Sequence, residues 1–129
     1  MKKQFYSLMI LVILVSCASN KNTKYRKVLV SDYKKVYFRK CLYHGFNKSQ
    51  AVTEILTMDN SIHSEYIHMQ KDYKIIDSLA RITAQEIKKD SMEMYQTDDR
   101  GKPVLYGCLK GYTGKWLDSI ARNTYKVKK

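Results

Sequence analysis

The sequence predicts an all-α domain, a compact bundle of four to five helices tied by one disulfide. Apolar residues recur every three or four positions over most of the chain, as expected for helices with one buried face. No stretch shows the apolar and polar alternation of a β-strand, and the 129 residues include a single proline. About 100 residues remain after the N-terminal segments described below, which suits one domain with a small core.

The first two helices are predicted from apolar spacing and capping residues. Helix one covers residues 32–45, where Asp32 favours its start and Gly45 suits its end. Asn47 followed by Gln50 resembles a capping box, which predicts a short helix two. The inward residues are expected to be Tyr33, Val36, Tyr37, Cys41 and Phe46 in helix one, and Ala51, Val52, Ile55 and Leu56 in helix two.

The rest of the domain is expected to hold one long helix and a last helix. The long helix begins at Ile62, and a bend near residues 70–72 would divide it into two. The last helix covers residues 104–121 and includes Trp116 on its apolar stripe. Its three glycines each cost about 1 kcal/mol relative to alanine, so they are expected to mark a close helix approach or a bend. The inward series of the long helix is Tyr66, Met69, Tyr73, Ile76, Ala80, Thr83 and Ile87, and the three glycines are Gly107, Gly111 and Gly114.

Residues 1–16 are predicted to be a bacterial lipoprotein signal peptide that is removed. Two lysines precede an apolar run over residues 5–15, which is shorter than the ~20 residues that span a membrane. Leu14-Val15-Ser16-Cys17 resembles a lipobox, so Cys17 is the expected lipidation site; the alternative is an ordinary signal peptide with a chance cysteine. Residues 17–29 would form the lipidated cysteine and a polar tether, and residues 30–129 the single helical domain.

This interpretation places the protein in the bacterial cell envelope. Residue 18 is Ala rather than the Asp that often retains enterobacterial lipoproteins in the inner membrane, so the resemblance favours an outer-membrane lipoprotein facing the periplasm. Cys41 and Cys108 are the cysteines that remain once Cys17 is acylated, and an oxidising compartment predicts a disulfide between them.

The basic charge favours a partner with an acidic face. Removing Lys2 and Lys3 with the signal leaves 22 basic and 12 acidic residues, a net charge of +10. Export argues against nucleic acid and leaves envelope polyanions or an acidic protein. Plain surface solubility is the alternative explanation of the charge.

No residue pattern predicts an enzyme, a metal site or a cofactor. Cys41 and His44 would share a helix face, but a disulfide-bonded cysteine is not a nucleophile. His63 and His68 are five residues apart, which disfavours a shared metal ion. The segment around Asp98 and Asp99 lacks the ligand spacing of a calcium-binding loop.

One exposed loop is predicted over residues 96–103, where charged and turn-forming residues concentrate. Three tyrosines lie off the inward stripes or near this loop, where they are candidates for a partner surface. These are Tyr43, Tyr95 and Tyr106.

Two cysteine motifs resemble those of a known group of proteins. Lys40-Cys41-Leu42 stands in helix one, and Cys108-Leu109-Lys110-Gly111-Tyr112 near the start of the last helix, with a break at Asp59-Asn60-Ser61 between them. Over about residues 30–126 the chain resembles the small periplasmic immunity proteins of type VI secretion that neutralise peptidoglycan amidase effectors, the amidase-immunity and Rap-like families. Thr113-Gly114-Lys115-Trp116-Leu117 departs from the serine, charged residue and leucine usual there.

The resemblance implies a non-catalytic inhibitor that covers the cleft of an incoming amidase in the periplasm. Members often act as dimers, with an exposed loop inserted into the enzyme, so a homodimer is one expected form. The competing interpretation is a non-catalytic envelope lipoprotein, either an adaptor or a cell-wall or lipopolysaccharide-binding protein. The residues expected to contact the protein partner are Tyr95, Asp98, Asp99, Arg100, Lys102 and Tyr106, with Tyr95 and Arg100 as anchors.

Overall fold

Five α-helices make up the described part of the chain. The computed structural model describes the backbone of residues 2–59, 70–94 and 103–126, and the side chains of residues 23–59, 72–90 and 103–126. No β-strand occurs among the residues so described, and the all-α class and the Cys41–Cys108 disulfide are confirmed. The helices are α1 (Lys2–Gly45), α2 (Gln50–Met58), α3 (Gln70–Met94), α4 (Val104–Thr113) and α5 (Lys115–Thr124).

Helix α1 begins at Lys2, so the predicted start at residue 32 is wrong. Residues 1–31 contain no glycine or proline, and nothing in that stretch breaks a helix. The prediction followed the apolar stripe; among the side chains described from residue 23 onwards, the first buried one is Leu29. Asp32 does not begin the helix; it is buried within it, with its carboxylate 3.4 Å from the Lys35 Nζ atom.

Helix α2 packs less tightly than its sequence predicts. Its cap is Ser49 rather than Asn47, because the Ser49 hydroxyl accepts a hydrogen bond from the Val52 backbone N–H. Asn47 instead turns the chain with a positive φ of 53°. No residue of α2 is buried among the described parts of the chain, and Ile55, expected to face inward, is 66% exposed.

Helix α3 confirms most of the inward series where it is described. Ile76, Ala80 and Ile87 are buried as predicted, whereas Tyr73 is 45% exposed. The Tyr73 ring lies at the surface under the Lys40 ammonium, 4.5 Å from its centroid, and this cation–π contact replaces burial. The predicted inward residues Tyr66 and Met69, and the predicted start at Ile62, lie outside the described residues.

The predicted last helix is two helices, α4 and α5, divided at Gly114. Gly114 has an extended ψ of 138°, which ends α4 and precedes α5. The other two glycines mark close helix approaches: a Cβ at Gly107 would clash with Ile87, and a Cβ at Gly111 would clash with Tyr37. Both outcomes expected for these glycines, a bend and a close approach, therefore occur.

The contacts of α1 with α4 and α5 give the bundle two distinct ends. Val104 lies against Gly45, which defines the Gly45 end. The Arg26 side chain donates a hydrogen bond to the Arg122 carbonyl near the opposite end, called here the Cys17 end. At a rise of 1.5 Å per residue, Cys17 and Gly45 are about 42 Å apart along α1. None of the helices, as far as they are described, carries an apolar stretch long enough to cross a membrane.

The disulfide should account for a large share of the stability of this domain. Its cysteines are 67 residues apart, and closing a loop of that length stabilises the folded state by about 4 kcal/mol in the chain-entropy treatment. We expect the double variant Cys41→Ala/Cys108→Ala to lose roughly that free energy of unfolding, measured by urea denaturation. Dithiothreitol should lower the stability of the wild-type protein and leave the variant unchanged. An unchanged free energy of unfolding in the double variant would contradict the prediction.

Candidate functional site

The predicted partner surface is described at one of its six residues. Tyr106 is 69% exposed on α4, in agreement with its assignment to the surface. Tyr43, the further candidate, is half-buried on α1. The other five residues lie outside the described residues, in the segment that joins α3 to α4; they are Tyr95, Asp98, Asp99, Arg100 and Lys102.

Tyr106 stands on the wall of a groove between α3 and α4, called here the α3–α4 groove. The groove has a volume of about 520 Å³, and its open side carries a second aromatic residue, Trp116, which is 43% exposed. Gly107 and Gly111 line its α4 side, where the lack of side chains lets α4 approach α3 and α1 closely. The groove is therefore a concave surface with two exposed aromatic side chains.

Tyr37 is buried beside this groove and contacts three of the residues that line it. Its hydroxyl lies 2.8 Å from the Thr83 hydroxyl and joins α1 to α3. Its ring meets Trp116 edge to face, with centroids 5.6 Å apart, and so fixes one rim of the groove. Burial raises the pKa of Tyr37, an effect that the Thr83 hydrogen bond opposes and the nearby Glu86 carboxylate reinforces. The hydroxyl is thus a neutral hydrogen-bonding group at physiological pH.

Among the described residues that line the groove, acidic side chains outnumber basic ones, although the protein as a whole is basic. Glu86 and Asp90 contribute two exposed carboxylates from α3, and Lys110 contributes one ammonium group from α4. Exposed aromatic rings beside carboxylates suit a protein segment that presents apolar and basic side chains. This local charge is opposite to the net charge of the whole chain.

A second cleft lies between α1, α2 and α3, and the cations that line it are engaged in internal contacts. It has a volume of about 360 Å³. The Arg39 guanidinium donates to the Leu56 carbonyl, and the Lys40 ammonium lies over the Tyr73 ring and 3.3 Å from the Asp77 carboxylate. Since both cations of this cleft already have partners, it is a weaker candidate for a binding site than the α3–α4 groove.

The pair that might have suggested catalysis, Cys41 with His44, is structural. Cys41 is bonded to Cys108, so it offers no thiolate. The His44 Nε2 atom lies 3.1 Å from the Asp77 carboxylate, which also binds Lys40. Burial alone would raise the pKa of Asp77, but the hydrogen bonds and charges of His44 and Lys40 outweigh it and lower that pKa. The cluster joins α1 to α3.

Metal-ligating side chains do not gather in groups of three or more in the part of the chain that is described. His63 and His68, weighed as a metal pair, and Asp98 and Asp99, weighed as a calcium loop, lie outside the described residues. The expectation that neither set binds a metal ion stays a prediction.

Three groove residues were not predicted from the sequence. The periodicity predicts a buried Trp116, which the structure exposes, and it gives no sign that Glu86 and Asp90 line a groove. A signal for the groove does exist in the sequence: Gly107 and Gly111 are four residues apart, which puts them on one face of α4. A helix with two glycines on one face can pack closely against a neighbour and expose its own backbone there.

The ion pairs of Asp77 predict a pH-dependent share of stability. A carboxyl group whose pKa is lowered on folding stabilises the native state above its ordinary pKa, near 4, and that contribution is lost as the pH falls through the folded-state value. Because Asp77 is partly exposed, we expect Asp77→Asn to lower the free energy of unfolding by about 0.5–1 kcal/mol at neutral pH.

The difference between the Asp77→Asn variant and the wild-type protein should shrink towards about pH 3, measured by urea denaturation across that range. Asp90→Asn, an equivalent change at an exposed carboxylate of the same helix, is the control and should have little effect. A constant difference for Asp77→Asn at all pH values would show that its ion pairs contribute nothing.

Comparisons with protein-family models, with curated proteins and with solved structures find no significant match for this chain. An inference about its function therefore starts from the residues of the α3–α4 groove. These are the exposed rings of Tyr106 and Trp116, the carboxylates of Glu86 and Asp90, and the glycine surface at Gly107 and Gly111.

Proposed function

We propose that this chain is a lipid-anchored periplasmic immunity protein that binds a peptidoglycan amidase toxin of type VI secretion and blocks it sterically. The observation that carries the proposal is the α3–α4 groove with its exposed Tyr106 and Trp116. The groove lies beside residues 37–45 of α1, about 30–42 Å along the helix from Cys17. Anchoring at one end would leave this surface free at the other.

The groove has the properties of a protein-binding surface. Tyrosine and tryptophan are the residues that most often dominate protein–protein binding energy, and both are exposed here. The Cys41–Cys108 disulfide ties the α4 wall to α1, so little reorganisation should accompany binding. A steric block needs no catalytic residue on the inhibitor.

The connection between the groove walls contains the remaining predicted contacts. α3 ends at Met94 and α4 begins at Val104, so the segment with Tyr95 and Arg100 joins the two helices that form the groove. The resemblance to the immunity families, where an exposed loop enters the enzyme, would assign the cleft-blocking role to this segment. In this proposal Tyr106 and Trp116 bind the rim of the enzyme's cleft.

The second candidate function is that of a non-catalytic envelope lipoprotein, an adaptor or a binder of cell wall or lipopolysaccharide. The net charge of +10 after processing favours it. Salt separates the two functions: attachment to a polyanion weakens steeply as ionic strength rises, whereas a complex with aromatic anchors persists.

The lipid anchor itself predicts a simple labelling result. Cells that are fed an alkyne-tagged palmitate should label the wild-type protein in the membrane fraction, because Cys17 would carry acyl chains. Cys17→Ser should remove the label and shift the protein away from that fraction. Cys108→Ala is the control for a cysteine that is not acylated, and it should keep the label. An unlabelled wild-type protein would leave an ordinary signal peptide as the explanation.

The inhibitory surface predicts a loss of binding at Tyr106. The processed chain, residues 17–129 with Cys17→Ser, is used to capture proteins secreted by a type VI-competent sibling strain. Any captured peptidoglycan amidase is then assayed on purified cell wall with the chain added. We expect full inhibition, weakened tenfold or more by Tyr106→Ala, since truncating a central aromatic anchor costs about 2 kcal/mol.

Tyr25→Ala, at another exposed tyrosine near the Cys17 end, is the matched control and should inhibit like the wild-type chain. Inhibition that survives Tyr106→Ala unchanged would move the binding surface away from the groove. Capture of no amidase, or of one that stays active in the complex, would reject the immunity proposal.

A further inference from the structure

The Cys17 end of the bundle carries a basic surface that inhibition of an amidase does not use. α1 contributes Arg26, Lys27 and Lys34, and α5 contributes Arg122, around a depression of about 280 Å³. We call these four residues the Arg26–Arg122 surface. Asp118 also lines the depression and carries one negative charge, so the local net charge is +3.

The contacts within this surface hold the two helices together and keep the cations in place. The Arg26 Nη2 atom donates to the Arg122 carbonyl at 2.9 Å. The Asp118 carboxylate lies 2.5 Å from the Arg122 Nε atom and 3.7 Å from the Lys34 Nζ atom. The hydrogen bond from Arg122 lowers the pKa of Asp118, which therefore remains ionised. Three of these cations have partners within the surface, but one carboxylate cannot neutralise four cations, so a net charge of +3 remains there.

Exposed lysines extend the charge towards the N-terminal side of α1. Lys24 and Lys27 are exposed on α1, and Lys126 is exposed just after α5. Residues 23–34 of α1 contain four basic residues and one acidic residue, Asp32, which is buried beside Lys35. The basic charge is thus concentrated on the side of the domain nearest Cys17.

The distance along α1 from Cys17 to Arg26 indicates which anion would lie close to this surface. Nine residues of helix separate Cys17 from Arg26, which is about 14 Å of rise. The headgroup layer of a bilayer is about 6–7 Å thick on each side, so the cations lie roughly 7 Å from the nearest phosphates even if α1 stands upright. This is within the Debye length of about 8 Å at physiological salt. A modest tilt of α1 would bring them into contact.

We propose that the Arg26–Arg122 surface binds the anionic phospholipid headgroups of the membrane in which Cys17 is anchored. This inference rests on the lipid anchor of the proposed function and adds an orientation to it. Tethering through Cys17 keeps headgroup phosphates at a high local concentration beside these cations, which favours them over soluble polyanions. Docking at the Cys17 end would present the α3–α4 groove to the periplasm, where an amidase arrives.

Vesicle binding tests the proposal without an amidase. The processed chain with Cys17→Ser carries no acyl group, and every buried side chain from Leu29 to Ala121 is retained. Its partition onto vesicles of phosphatidylcholine, and onto vesicles of an equimolar mixture with phosphatidylglycerol, is measured by co-sedimentation. We expect binding to the anionic vesicles alone, and weakening as salt rises.

The surface variant is Arg26→Gln/Lys27→Gln/Arg122→Gln. Each Lys or Arg near an anionic surface contributes about fivefold to partition, so this variant should bind on the order of 100-fold more weakly. Since Arg26 also joins α1 to α5, a second variant changes exposed side chains alone and should lose binding to a similar extent. That variant is Lys24→Gln/Lys27→Gln/Lys126→Gln.

The control variant removes the same charge from the exposed residues of α3, as Lys74→Gln/Arg81→Gln/Lys89→Gln, and should retain most of the binding. Equal losses in the control and the surface variants, or equal binding to both kinds of vesicle, would overturn the proposal. Equally tight binding to soluble dextran sulfate, lost in the same surface variants, would assign the surface to a free polyanion and would also overturn it. Amidase inhibition by the same variants reports separately on the immunity function.

Discussion

The packing of α4 against α1 is the contact on which the rest of this structure depends. Val104 lies on Gly45, Cys108 is bonded to Cys41, and Gly111 lies under Tyr37. These positions step by four along α1 and by three or four along α4, so they follow one face of each helix and pair the helices antiparallel. A shift of one helix by a turn would separate all three pairs together. The disulfide therefore fixes a register that the two glycines allow.

Tyr37 transmits this register to the other helices. It lies against Gly111 of α4, bonds to Thr83 of α3 and packs edge-on against Trp116 of α5. An alanine at position 111 would favour the helix by about 1 kcal/mol, yet its Cβ would displace the Tyr37 ring. The shape of the α3–α4 groove thus depends on the core, because Tyr37 is a buried residue of α1 and also contacts residues that line the groove.

Sequence periodicity predicted the buried residues correctly along the continuous helix α1. It failed in α2 and at the start of α5, where Ile55 and Trp116 are exposed. Tyr33, Tyr37 and Cys41 are fully buried as predicted, since α1 is continuous through them. Trp116 was misplaced at the start of α5, directly after the extended backbone at Gly114, whereas Ala121 of the same predicted stripe is fully buried. Ile55 has the spacing of a core residue, but periodicity gives a direction and cannot show whether a neighbour covers it. The groove could not be predicted for a similar reason: its aromatic and acidic residues come from three successive helices, and the periodicity of each helix does not show how the three pack together. In the sequence, the spacing of its glycines is the one signal for it.

The distribution of charge changes what the composition implies. A net charge of +12, or +10 after the proposed removal of residues 1–16, predicts an acidic partner for the molecule as a whole, but the two ends differ. The Cys17 end groups four cations around Asp118, whereas the α3–α4 groove sets Glu86 and Asp90 against Lys110. If Cys17 is acylated as proposed, this basic surface would lie close to lipid headgroups, and the excess charge would not need to be directed at the proposed protein partner. The partner that fits the groove should then present basic and apolar side chains. The net charge of the whole chain does not indicate that requirement.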